Sequence, residues 1–186
     1  RSSDLPNLLP YPVVIFGALR AGLIVVNVNP LYTSRELKHQ LKDSEARVIM
    51  IFENSAHVLD AVFSELEIEH VIVTKIGDFL GFPKGLFMNV AVKYLKKMVP
   101  PYKLPGVIKF KDTLTRSTED FKTVPISVND IAFLQYTSGT TGFSKGAMLS
   151  QGNVTKNLDQ FESMLTNILE GRSEERRVGK ECRSRW

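Results

Sequence analysis

Cysteine is almost missing from this chain: 186 residues carry one, Cys182. A lone thiol cannot close an internal disulfide, so a disulfide-stapled fold is excluded. There is one tryptophan, Trp186, and there are three histidines, His39, His57 and His70. No histidine has a cysteine or second histidine at ligand spacing, so structural or surface roles are expected rather than a zinc site. No His-Glu-x-x-His string occurs, and no serine on a tight strand-to-helix turn, the nucleophile elbow, is expected. Gly17 and Gly22 end a helix rather than open one, so they are not a dinucleotide fingerprint. Long apolar runs are missing too. The most membrane-like stretch, Val13 to Val26, is interrupted by Arg20 and bracketed by Pro12 and Pro30. It is too short and broken to span a bilayer and reads as a buried helix followed by a buried strand. No secretory signal pattern is seen.

What is present is globular in composition, 43% hydrophobic and 24% charged, with enough length for one domain and its core. The formal net charge of +4 is unevenly placed. Arg172 to Trp186 reads RSEERRVGKECRSRW and holds six basic and three acidic residues, hence three of the four net charges. It also holds the only cysteine and the only tryptophan, and no apolar period runs through it. Taken as protein it is a basic tail for nucleic acid or membrane. The string also resembles a translated sequencing adapter, and Arg1 to Leu5 resembles the adapter of the other end. The second reading is preferred, so residues 1–5 and 172–186 are expected to be scars, with 6–171 as the domain. Without them the net charge is near +1, and no nucleic-acid partner is expected.

The domain has an alternating rhythm. Pro12 suits the first turn of a helix over Val13 to Arg20, which Gly22 ends. Leu23 to Val28 is a β-branched run and so an interior strand. Thr33 or Ser34 caps a helix whose core stripe is Leu37, Leu41 and Ala46, with Arg35, Glu36, Lys38, Lys42 and Asp43 facing water. Arg47 to Phe52 is a strand, Asn54 or Ser55 caps a helix to about Leu66, and His70 to Thr74 is a strand. Strands alternating with helices predict an α/β fold, with a parallel sheet and crossover helices.

Between Gly77 and Pro105, glycines and prolines bracket a helical stretch, Leu86 to Val99. Leu86, Phe87, Val90, Ala91, Tyr94, Leu95 and Met98 fall at helical spacing, and Lys93, Lys96 and Lys97 cluster late. One reading is a core-packed helix whose lysines offset the dipole at its C-terminus. The other is a shallow membrane contact through 86–99. The first is the expectation, because amphipathic helices are the norm in soluble proteins. Lys109 to Val124 is polar and reads as a loop. Ser150 caps a last helix to about Leu169, with a stripe of Leu158, Phe161, Leu165 and Ile168 or Leu169.

The chemistry concentrates in Ile131 to Asn153. An apolar run ends in Tyr136, and all but Phe143 of the next ten residues are Thr, Ser, Gly or Lys. Ala147-Met148-Leu149 follows. The pattern is strand, glycine-rich loop, strand. Gly139, Gly142 and Gly146 let backbone approach a ligand closely. Thr137, Ser138, Thr140, Thr141 and Ser144 supply hydroxyls, and Lys145 one mobile cation. Oriented amides and one ammonium suit a polyphosphate. The loop is not a Walker A loop, because Lys145 follows Ser144 and precedes Gly146.

Tyr136-Thr137-Ser138-Gly139-Thr140-Thr141-Gly142-Phe143-Ser144-Lys145-Gly146-Ala147 closely resembles the phosphate-binding signature of AMP-forming adenylate ligases. That family includes acyl-CoA synthetases, luciferase and peptide-synthetase adenylation domains. The family usually has Pro where Ser144 stands and often His where Gln151 stands. The stretch from Pro6 to Leu169, with Asn29-Pro30 and Arg35-Glu36-Leu37, resembles the N-terminal part of bacterial-type long-chain fatty-acid CoA ligases, which carry a comparable insert to Gly77–Pro105. The resemblance implies a partial N-terminal domain, with Tyr136 to Ala147 holding the β- and γ-phosphates of ATP. It implies ATP, Mg²⁺, coenzyme A and a fatty acid as reactants, in a cytoplasmic protein with peripheral contact on the inner face of a membrane. The family's Tyr-Gly-x-Thr-Glu segment, its ribose-holding acid, hinge and C-terminal lysine have no match here. No catalytic residue is therefore expected in this chain, which by itself should be inactive. Another branch of adenylate-forming ligases, or a non-catalytic nucleotide-binding product, remain alternatives.

Overall fold

A computed structural model describes residues 2–4, 9–81, 83–95, 99–114, 121–122, 124–137 and 144–166. They fall into two compact units, 1–126 with 131–149 and 127–130 with 150–186.

A seven-stranded sheet carries the site. Its strands are β1 (Ser2–Asp4), β2 (Val25–Asn27), β3 (Val48–Phe52), β4 (His70–Thr74), β5 (Ile108–Lys109), β6 (Ile131–Thr137) and β7 (Lys145–Ser150), in spatial order β5-β4-β3-β1-β2-β6-β7. Every recorded register is parallel, including Val48↔His70 between β3 and β4 and Val25↔Phe133 between β2 and β6. Ser2–Asp4 lies in the stretch set apart above as adapter-derived. It runs between β3 and β2, and such pairing uses backbone groups that any proline-free sequence supplies.

The strands are short because their apolar runs are short, and β3 is buried on both faces. Ile49 and Ile51 join Leu37, Leu41, Leu59, Val71 and Val73 in one cluster. Met50 and Phe52 point the other way, towards Phe110, Tyr11 and Val14. Period-two alternation thus feeds two helical layers from one continuous apolar strand. On the second face, α1 (Pro10–Arg20) has proline in its first turn and Arg20 in its last, and Gly22 follows at φ 69°. That left-handed conformation favours glycine, which is why the helix stops there. On the first face, α2 (Ser34–Asp43) begins with a complete capping box. The Thr33 side chain accepts from the Glu36 backbone, and the Glu36 carboxylate accepts from the Thr33 backbone at 2.8 Å. Leu37 and Leu41 are fully buried, and each burial stabilises by about 1.5–3 kcal/mol.

The predicted α/β fold with a parallel sheet is what forms, and four local expectations need correction. The helix expected from Asn54 or Ser55 to Leu66 is broken. A 3₁₀ turn, Glu53–Ser55, leads into α3 (Ala56–Asp60), and a second 3₁₀ turn follows at Phe63–Glu65. Part of Lys109–Val124 is ordered rather than loop: Lys109 ends β5, and α5 (Phe110–Leu114) follows. Phe110 is the cause, a buried ring packed against Met50, Phe52 and, at 5.7 Å between centroids, Phe79.

The third correction is the largest. Residues 84–95 form α4 (Lys84–Val90) and a π-type turn, Ala91–Leu95. The expected core stripe faces out: Leu86 is 57% exposed, Phe87 74% and Tyr94 67%. The inward side is Gly85 and Asn89. Asn89 Oδ1 accepts from the Gly77 backbone at 2.9 Å. A Cβ on Gly85 would lie 2.3 Å from the Gly77 carbonyl oxygen. This helix therefore docks through a glycine–glycine contact, not through its apolar face. Lys96, Lys97 and Met98 lie outside the described residues. In the second unit, helix α6 (151–166) starts as expected, with Asn153 and Ser150 bonded reciprocally at the cap. Of its stripe, Leu158, Phe161 and Leu165 are exposed, against expectation, and Ile168 and Leu169 lie outside the described residues.

Candidate functional site

The expected loop leaves the carboxyl end of β6, the side of a parallel sheet where ligands gather. Its two stems are described: Tyr136 and Thr137 on one side, Ser144, Lys145, Gly146 and Ala147 on the other. Ser138, Gly139, Thr140, Thr141, Gly142 and Phe143 lie outside the described residues. Residues Gly142–Gly146 spell Gly-x-Ser-x-Gly, but Lys145 continues into strand β7. An elbow needs a helix there, so the serine-nucleophile geometry is not formed.

Thr137, Lys145 and Ala147 are exposed, whereas Tyr136 is buried. The Tyr136 hydroxyl donates to Asp43 Oδ2 at 2.5 Å. Burial, and then the adjacent Asp43 carboxylate, push this phenol well above its ordinary range. It remains a donor at any physiological pH. Its ring also packs closely over position 146: a Cβ there would lie 3.1 Å from Tyr136 Cζ and 3.2 Å from Cε2.

Asp43 ends α2, and the water-facing role expected for it is incomplete, because its carboxylate is also the acceptor for Tyr136. Sequence reading missed this partner. The available signal was a carboxylate in the last turn of a helix, where the dipole disfavours negative charge by about 0.3–1 kcal/mol. A second polar tie joins the same helix to the sheet. Gln40 is buried and its Nε2 donates to the Asn27 carbonyl at 2.8 Å, while Gln40 Oε1 has no partner. Asn27 in turn accepts from Tyr11 and donates to Gln135 of β6 at 3.4 Å.

Two other features bear on binding. On the opposite sheet face, a cavity of about 260 Å³ lies between α1 and α5, walled by Val14, Met50, Ile72, Phe110 and Leu114 among others. Its walls are apolar, apart from Thr113. Among the described residues no group of three His, Cys, Asp or Glu could hold a metal. Magnesium bound to a nucleotide is held chiefly by phosphate oxygens and water, so such a group is not required for it. Among the described residues no helix is long and apolar enough to cross a membrane.

The family of AMP-binding enzymes matches residues 4–178. A long-chain-fatty-acid–CoA ligase of Salmonella typhimurium is 50% identical over 166 residues, which are 89% of this chain and 30% of the relative. One from Escherichia coli O157:H7 is 51% identical over the same shares. Among solved structures, a long-chain-fatty-acid-CoA ligase from Archaeoglobus fulgidus is 27% identical, with a TM-score of 0.59 over 86% of this chain and 26% of that one. The chain thus spans about 30% of the length of the curated relatives it matches.

Proposed function

We propose, for a chain that belongs to the AMP-binding enzyme family, that it is the phosphate-handling part of a ligase joining a long-chain fatty acid to coenzyme A. The observation that carries this is the 50% identity over 166 residues to a long-chain-fatty-acid–CoA ligase. In this reading a fatty-acid carboxylate oxygen attacks the α-phosphorus of ATP. The bond to pyrophosphate breaks, and acyl-adenylate and pyrophosphate form. The coenzyme A thiol then attacks the acyl carbon, loses its proton and displaces AMP. Charge grows on the departing pyrophosphate, and Thr137, Ser144 and Lys145 stand at the mouth of the loop where donors would meet it. Magnesium enters as counter-ion of the triphosphate. The 186-residue chain alone is proposed to be inactive, since it spans about 30% of such a ligase.

The test is ATP–pyrophosphate exchange in the longer ligase carrying this segment. Lys145→Ala removes the cation and Gly142→Val blocks backbone approach, and each should lower exchange by about tenfold or more. Unchanged exchange in both overturns the phosphate role. Exchange stimulated by an aryl acid and not by a fatty acid would favour another branch of the family.

The outward face of α4 supports a second element of the reading, peripheral contact with the inner face of a membrane in a cytoplasmic protein. Leu86, Phe87, Val90 and Tyr94 are exposed, with Lys84 and Lys93 beside them. Apolar side chains rimmed by lysine suit a shallow seat among anionic lipid headgroups. The chain should sediment with phosphatidylglycerol-containing vesicles, and Leu86→Ser with Phe87→Ser should leave it in the supernatant. Equal sedimentation of the double variant would remove the membrane role.

A further inference from the structure

Strand β1 breaks the rule that its neighbour β3 obeys. It is the middle strand of the seven, paired to β2 on one side and to β3 on the other. An interior parallel strand is covered on both faces and ordinarily reads as an unbroken apolar run. Strand β3 is such a run, Val-Ile-Met-Ile-Phe, whereas β1 is Ser-Ser-Asp. The register makes the mismatch specific, because residues side by side in a sheet share a face. Positions 2 and 4 belong with Val26, Ile49 and Ile51, all fully buried. Position 3 belongs with Met50, on the face of α1 and α5. A charge or an unpaired hydroxyl on such faces is costly where an apolar side chain is not. The cavity of about 260 Å³ is an independent observation. Its walls include Val25 of β2 and Val48 and Met50 of β3, the strands that flank β1. It thus lies over the middle of the sheet, on the face to which position 3 belongs. Close-packed interiors hold few voids larger than a water molecule.

We propose that the gap between β2 and β3 is the seat of an apolar strand from the part of the longer ligase outside this chain, and that residues 2–4 fill it here through backbone pairing alone. The inference rests on the reading of the chain as about 30% of such a ligase. Two strand edges facing each other across one strand's width supply a ladder to any extended, proline-free segment. Their faces then select among segments. At positions 2 and 4 an occupant with β-branched residues would join the cluster of Ile49 and Ile51. At position 3 a large apolar residue would share a face with Met50 and take up cavity volume. Ser2, Ser3 and Asp4 meet the first requirement and neither of the others.

The test is urea unfolding of the 186-residue chain. Ser2→Val with Asp4→Val, and separately Ser3→Leu, should each raise the folding equilibrium constant about tenfold or more, as for newly buried apolar side chains. Ser3→Pro, which removes a donor from the middle of a sheet, should lower it about tenfold or more. Replacing residues 1–5 by the five residues that precede Pro6 in the longer ligase should stabilise at least as much as the valine pair. Benzene serves as the probe of the cavity: it should raise the melting temperature of wild type by about 2 °C or more and leave Ser3→Leu unmoved. The inference is overturned if the apolar variants gain nothing, if Ser3→Pro costs nothing, or if benzene acts equally on wild type and Ser3→Leu. It is overturned too if the longer ligase itself carries Ser-Ser-Asp there, or if its segment destabilises. A gain that grows with protein concentration would assign the seat to a second copy of the chain, and so also overturn it. None of these readouts needs ligase activity, so they can fail while ATP–pyrophosphate exchange upholds the ligase reading, and succeed while it does not.

Discussion

Two helices of this chain carry the same kind of pattern and end in opposite situations. In α2, Leu37 and Leu41 recur at helical spacing and are 1% and 2% exposed. In α4, Leu86, Phe87 and Val90 recur at helical spacing and are 57%, 74% and 45% exposed. Both helices lie in connections between parallel strands, α2 between β2 and β3 and α4 between β4 and β5. The difference lies in what else the connection contains. The link carrying α2 is short, and its helix is the chief apolar material available to cover β3. The link carrying α4 runs over residues 75–107, and its returning segment supplies Tyr102, Leu104 and Val107 to the core. Lys103 is tied there by its backbone donating to Asp60 at 3.0 Å. With that sheet face already covered, α4 docks on glycine and leaves its apolar side out. An amphipathic pattern states that a face is apolar; it does not state what the face meets.

That contrast predicts unequal costs for the same substitution. Leu41→Ala should destabilise the chain by about 2–5 kcal/mol, the usual range for a buried leucine. Leu86→Ala should stay within about 0.5 kcal/mol, as for other surface changes. Urea unfolding of both variants measures it, and similar losses would mean that α4 is buried after all.

Next in size is Gly85→Ala. Its methyl group would meet the Gly77 carbonyl at 2.3 Å. Overpacking of this kind costs about 1–3 kcal/mol, and here it should free α4 while α2 stays protected in hydrogen exchange. Loss of protection in both helices would show that they unfold as one unit.

The caps sharpen the same contrast at lower cost. Thr33→Ala should destabilise by about 1 kcal/mol, whereas α4 has Pro83 at its cap and no side-chain bond to lose. The Glu36 carboxyl lies below its ordinary value of 4.5, chiefly through its side-chain and backbone bonds with Thr33. A depressed folded value means that its contribution is full above about 4.5 and is lost as pH falls through the folded value. Acid unfolding curves should show this loss as pH falls below about 4.5. Glu36→Gln should flatten it, and an unchanged acid limb would discount the capping box.

The smallest effect concerns Arg172–Trp186, which lie outside the described residues. If adapter-derived, they were never fitted to this domain. Their removal should change stability by no more than about 0.5 kcal/mol. A marked loss on calorimetric melting would make them part of the protein.

Much of the architecture was legible because it depends on neighbours in sequence. Alternating β-branched runs and capped helices specify β3, β4 and α2 almost residue by residue, with Leu37, Leu41 and Ala46 as stripe and the cap narrowed to Thr33 or Ser34, of which the structure uses Thr33. Gly22 as a helix stop follows from backbone freedom alone. The glycine-rich loop could be placed between two strands from composition and order. What had to await the tertiary structure are the facts that depend on residues far apart in the chain. Asp43 meets Tyr136 across 93 positions, and a Cβ at Gly146 would meet that tyrosine's ring at 3.1 Å. Phe110 makes a helix of an expected loop because Met50, Phe52 and Phe79 surround it. The outward turn of α4 belongs to the same class. Local sequence sets which face is apolar, but competition among segments for the one available sheet face decides which of them is buried.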